Sequence, residues 1–174
     1  MSTIRPLDEA EATAHLPDLA RLLVDAVAHG ASVNFLAGLT AAEATAFWRG
    51  QLPGIAAGAR RLLVAEAPAG AGLAGCVILS FAPQPNAPHR GEITKMLVHS
   101  AHRRQGLGRA LLGAAEAAAR AAGRSLLLLD TEAGSAGEAL YRACGWTWLG
   151  AIPDHALRTD GTPSATSLFY KRLA

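Results

Sequence analysis

The segment Arg103-Arg104-Gln105-Gly106-Leu107-Gly108-Arg109 constrains this chain more than any other. It joins a strand-like run at 92–99 to an alanine- and leucine-rich run that continues to about residue 122, so strand must turn into helix within a few residues. Glycines at 106 and 108 let backbone N–H groups approach an anion closely, while a helix N-terminus and the arginines add positive potential. A phosphate suits such a loop, although the same spacing also describes a tight turn with surface arginines. Two other phosphate loops do not fit. A dinucleotide fingerprint needs a third glycine where Leu111 stands, and a P-loop needs Lys-Ser or Lys-Thr where Arg109-Ala110 stand.

Strand and helix patterns alternate around this loop. Residues 3–7 read as a first strand ended by Pro6, and Asp8 and Glu9 start a helix in which Leu16, Leu19, Leu22, Leu23 and Val27 recur until Gly30. Ser32, Asn34 and Phe35 lie in a loop, after which Thr40 and Glu43 form a capping box for a second helix through about residue 57. Runs at 62–66 and 73–81 predict a hairpin, followed by a loop holding Pro83, Pro85 and Pro88. The leucines of 126–130 predict a buried strand, and 135–144 a short helix stopped by Gly145. Runs at 146–152 and 167–171 close the chain as a hairpin over Asp160-Gly161. The expected fold is a single α/β domain over 1–174, a mixed sheet of about seven strands flanked by about four helices.

Composition narrows the function. A net charge of +2, with 17% of residues charged, is not the dense basic face that nucleic acid demands. Cys76 and Cys144 belong to no CxxC pattern and read as small core residues, while His99 and His102 lack a third ligand, so no metal is expected. The N-terminal stretch lacks a signal-peptide pattern, and Glu116 and Arg120 interrupt the alanine-rich run, so a cytoplasmic protein without a membrane segment is expected. Ser135 lacks the GxSxG spacing of a nucleophile elbow, and Trp48, Trp146 and Trp148 fall on apolar patterns that read as core.

The loop resembles the pyrophosphate loop of the GNAT superfamily of acetyl-CoA-dependent N-acetyltransferases, Arg/Gln-x-x-Gly-x-Gly/Ala, which Arg103, Gly106 and Gly108 match. The segment 138–146 is similar to the family's Leu-Tyr-x-x-x-Gly-Phe signature. This resemblance implies that Arg103, Arg104, Gln105, Gly106, Leu107, Gly108 and Arg109 hold acetyl-CoA's phosphates, and that Met96, Leu97 and Val98 offer backbone groups to pantetheine. It also implies that strands near 93–98 and 126–130 splay apart to admit the cofactor. Where the family often carries Asn and Ala before the signature tyrosine, this chain has Gly134 and Gly137, so Thr131 or nearby backbone would supply the missing hydrogen bond.

By position Tyr141 is the general acid for the departing thiolate, unless it is only a packed aromatic. Amine acetylation also needs an amine without its extra proton, hence a carboxylate base or water-positioner. Glu92 sits where several family members carry a glutamate base, and Asp130 ends the neighbouring strand; a solvated strand start and a turn residue are their plain alternatives. Segments 30–33, 128–135 and 169–171 resemble the tabtoxin-resistance type of acetyltransferase, which implies a small amine acceptor, such as an amino-acid toxin, near Asn34 and Phe35. Alternatives are a non-catalytic acyl-CoA sensor, a module binding another phosphate, and an acetyltransferase acting on a peptide or protein amine. The closing hairpin offers apolar residues to a homodimer.

Overall fold

The architecture follows from where the chain can and cannot keep its periodic pattern. In the computed structural model, which describes residues 3–173, the strands are β1 (Ile4–Leu7), β2 (Arg60–Glu66), β3 (Leu73–Phe81), β4 (Arg90–Val98), β5 (Leu126–Glu132), β6 (Thr147–Leu157) and β7 (Pro163–Arg172). The helices are α1 (Glu9–Ala14), α2 (Leu16–Ala28), α3 (Ala41–Arg49), α4 (Leu52–Ala56), α5 (Leu107–Ala121) and α6 (Ala136–Ala143). Short 3-10 turns occupy Pro68–Gly70 and Ser100–His102.

Both N-terminal helices expected as single units are broken. The first breaks at His15 because Pro17, at the start of α2, has no N–H to continue the ladder. Gly50 and Pro53 likewise separate α3 from α4. The expected capping box of Thr40 with Glu43 starts α3, and the structure adds a second, Asp8 with Glu11 on α1. Pro6 does not end β1 but lies within it, opposite Leu63; β1 is an edge strand, where a missing donor costs no ladder bond.

The strands form one sheet in the order β1-β2-β3-β4-β5-β7-β6, parallel only between β4 and β5. Alternation along each strand sorts the core into two layers. On one face, Val77, Leu79, Ile93, Leu127, Leu129 and Phe169 pack with Leu111 and Ala115 of α5 and with Tyr141 and Trp146. On the other face, Leu62, Val64, Cys76 and Ile78 pack with Leu19, Leu22 and Leu23 of α2 and Trp48 of α3. We call these the α5 face and the α2 face.

The leucine run of β5 is therefore buried on one side only. Leu127 and Leu129 lie under α5, whereas Leu126 and Leu128 are half-buried, because α2 packs over β3 and β4. Cys76 is buried and Cys144 half-buried. Trp48 and Trp146 are core residues as expected, but Trp148 is 45% exposed. It lies on β6, the outer strand at the far edge, whose side chains are largely exposed.

Candidate active site

Parallel pairing of β4 with β5 runs from Arg90 opposite Leu126 only as far as Glu92 opposite Leu128. Beyond that point β4 bulges. Its register with β3 jumps from Ile78 opposite Thr94 to Cys76 opposite Leu97, and Lys95 takes φ +47, a conformation few non-glycine residues adopt. The bulge steers β4 away from β5 and leaves the β5-facing edge of its second half unpaired. A cleft of about 300 Å³ opens there, bordered by Thr94, Lys95, Met96, Asp130, Thr131 and Tyr141 and roofed by residues 29–34. It shares Ala31, Met96, Arg103, Ala136 and Gly137 with a second cavity of about 620 Å³ at the start of α5, so the two form one groove.

The groove ends on the glycine loop. Gly106, at φ +81, is the N-cap of α5, and no side chain caps that terminus, so its first N–H groups are free for an anion. No carboxylate occupies the first turn, and Arg103, Arg104 and Arg109 line the same cavity with Leu97, Val98, Leu107 and Gly108. Arg103 donates through Nε to the Val98 carbonyl at 3.2 Å. Gln105, expected with them, borders neither cavity; its amide donates to the Ala101 carbonyl at 3.4 Å. Asp25 of α2 anchors the approach to the loop by accepting from the Ser100 N–H and hydroxyl, each at 2.7 Å.

Sheet alternation separates the chemistry by face. Glu92, Thr94, Leu128 and Asp130 fall on the α2 face, opposite in alternation to the buried Ile93, Leu127 and Leu129. Tyr141 belongs to the α5-face core, with Trp146 and Phe169 about it at ring centroid distances of 6.1 and 6.0 Å. Burial pushes the Tyr141 phenol well above its usual range, and the negative charge of Asp130 adds to the effect. At neutral pH this tyrosine is a proton donor, never a base. The two carboxylates are not equivalent, because Asp130 borders the cleft with Tyr141 while Glu92 borders an adjoining cavity that meets the cleft at Thr94.

Thr131 points to the α5 face and shares a hydrogen bond with Ser135, the N-cap of α6, at 3.2 Å. A Cβ on Gly137 would lie 2.9 Å from the Thr131 hydroxyl. Thr131 and Gly137 thus fill one volume together, the threonine hydroxyl standing where an alanine at 137 would intrude. Asn34 borders the cleft, whereas Phe35 stacks edge-on against Phe47, centroids 5.4 Å apart, behind the lining. Lys95 carries no signal in the sequence spacing. An unbroken strand would have turned it, like Ile93, under α5; the bulge instead carries its ammonium to the α2 face, 5.3 Å from the Phe47 ring centroid. Among the described residues no three His, Cys, Asp or Glu side chains gather as a metal site.

Comparison with known proteins identifies this arrangement. A model of the Acetyltransferase (GNAT) family matches residues 34–146. The chain belongs to the GNAT acetyltransferase family. Its fold is shared by a putative acetyltransferase, yncA, from Salmonella typhimurium, solved with acetyl-CoA, at TM-score 0.75 and 21% identity, covering 100% of this chain and 95% of that one. A phosphinothricin acetyltransferase from Sinorhizobium meliloti, solved with the same cofactor, has TM-score 0.77 and 19% identity over 99% and 89% of the two chains. Ribosomal-protein-alanine N-acetyltransferase from Brucella melitensis has TM-score 0.73 and 25% identity over 98% and 99%. As a GNAT enzyme, this protein is an acetyl-CoA-dependent N-acetyltransferase. Among the described residues, no helix is long and apolar enough to cross a membrane.

Proposed function

We propose that this GNAT enzyme acetylates the amino group of a small molecule in the cytoplasm, with Asp130 and Tyr141 working from opposite faces of the sheet. The observation that carries this reading is the continuous groove. It runs from the uncapped, arginine-lined start of α5 to a cleft where a carboxylate and a protonated phenol meet.

Acetyl-CoA fits the groove as the acyl donor: the Gly106 and Gly108 loop with Arg103, Arg104 and Arg109 suits its phosphates, and the unpaired edge of β4 at Met96, Leu97 and Val98 suits its pantetheine arm. It supplies an activated acetyl carbon. Asp130 receives, directly or through water, the proton that the acceptor amine loses as its nitrogen forms the new bond to that carbon. Backbone N–H groups near Met96 and Leu97 hold the carbonyl oxygen while charge builds on it. The Tyr141 hydroxyl donates to the sulfur as the carbon–sulfur bond breaks, and Glu92 adds negative potential along the acceptor's route.

The small volume of the cleft, roofed by residues 29–34, favours a compact acceptor, and the resemblance to the tabtoxin-resistance type makes an amino-acid toxin the leading class. A second reading, acetylation of a protein's terminal amine, is favoured by the likeness to the Brucella enzyme. Release of free thiol from acetyl-CoA over a panel of small amines and N-terminal peptides, with products weighed by mass spectrometry, tests both. Acetylated peptides without any acetylated small amine would sink the first reading, and no thiol release with any amine would sink both. The exposed Trp148, Leu149, Ile152 and Leu157 on β6 suit a homodimer; sedimentation of Leu149→Glu at half the wild-type mass would support it, and equal masses would refute it.

A further inference from the structure

Lys95 has no task in the acetyl transfer just described, yet it borders the cleft from a backbone conformation few non-glycine residues adopt. Its ammonium lies over two aromatic rings, 5.3 Å from the centroid of Phe47 and 6.0 Å from that of Phe35, which steady a cation without neutralising it. Neither Lys95 nor Asp130 has an ion-pair partner among the described residues, although the Asp130 charge acts on the Lys95 ammonium.

The other charged groups bordering the cleft are engaged elsewhere. His29 faces Asp25, Glu132 is paired with Arg158 at 2.7 Å, and Arg103 is bound to the Val98 carbonyl at the phosphate end of the groove. Two unspent charges of opposite sign therefore remain on the acceptor side, an ammonium and a carboxylate. Their complement is a zwitterion, an amine with an anionic group a few bonds away.

We infer that Lys95 is the specificity-determining residue for the acceptor, binding a carboxylate on the molecule whose amine meets Asp130. This rests on the small-molecule reading above and adds how an amino-acid acceptor is held, by its carboxylate as well as by its amine. A charge-assisted hydrogen bond in a partly dry cleft stabilises the bound carboxylate enough to change kcat/KM by roughly ten- to a hundredfold. Burial lowers the ammonium's proton affinity, and the Asp130 charge acts against that effect.

The test compares amino acids with their own carboxamides, which keep the shape and amine and lack the charge, by thiol release from acetyl-CoA. The wild type should prefer the acids at least about tenfold in kcat/KM. Lys95→Met should bring the ratio to about one, mainly through KM, and Lys95→Arg should keep most of it, with circular dichroism confirming that both fold. A wild-type ratio near one would overturn the assignment whatever the variants do. So would equal slowing of acids and amides in Lys95→Met, which would make Lys95 a partner of Asp130 instead. If neither acids nor amides are acetylated while peptides are, the small-molecule reading falls and the assignment with it.

Discussion

Tyr141 and Asp130 reach the cleft from opposite faces of the sheet, so each can be removed without repacking the other. Tyr141→Phe deletes one hydroxyl and leaves the ring against Trp146 and Phe169. Turnover should fall roughly ten- to a thousandfold with little change in the acetyl-CoA KM, since the donation matters only as the thiolate develops. Unchanged turnover would make Tyr141 a packing residue. For the carboxylates, Asp130→Asn should slow acetylation more than Glu92→Gln, because only Asp130 borders the same cleft as Tyr141. The Asp130→Asn defect should shrink as pH rises and more of the acceptor is free amine; a pH profile parallel to wild type would remove the base role. The sequence pointed to both carboxylates as the start of one strand and the end of its neighbour, whereas both lie inside their strands, since β4 begins at Arg90 and β5 runs on to Glu132. Their inequality was not legible, since it depends on where the pairing of β4 with β5 stops.

At the scale of elements, the loop before α5 is held by α2 through Asp25 and Ser100, a contact 75 residues apart in sequence. Burial works to raise the Asp25 carboxyl, but the two Ser100 hydrogen bonds, with His99 and His29, outweigh it and hold the group below its usual range. A carboxylate depressed in the folded state contributes stability that is fully present above the unfolded value, about 3.9, and lost as pH falls through the folded one. Asp25→Asn should therefore lie about 2 kcal/mol below wild type near neutrality. That gap should close below about pH 4. Thermal melts across that window check it, and a gap independent of pH would show that the charge contributes nothing. The helix ends illustrate local legibility: Thr40 with Glu43 announces α3 from three residues' separation, and Pro17, Gly50 and Pro53 carry the break signals that apolar periodicity alone overlooked.

Across the whole molecule, an ion pair on the buried Glu116 ties the C-terminal strand to the α5 layer. Lys171 on β7 donates to both Glu116 oxygens at 2.8 Å and to the Cys144 carbonyl at 2.8 Å, and the Trp146 indole donates to Glu116 at 3.0 Å. Lys171→Met strands a carboxylate that is 7% exposed and should cost about 3 kcal/mol in urea unfolding. The double variant with Glu116→Leu should recover part of that loss, and a single variant as stable as wild type would show the pair to be idle. The sequence by itself determined the succession of seven strands, the glycine loop between strand and helix, and the capping box of Thr40 with Glu43, because these rest on periodicity and on contacts within a few residues. Only the tertiary structure decided which β5 leucines are buried, that Trp148 lies on an outer strand, and that Lys95 carries its ammonium to the α2 face. Each of these depends on strand order or on the bulge in β4, and both are set by pairing between segments distant in the chain.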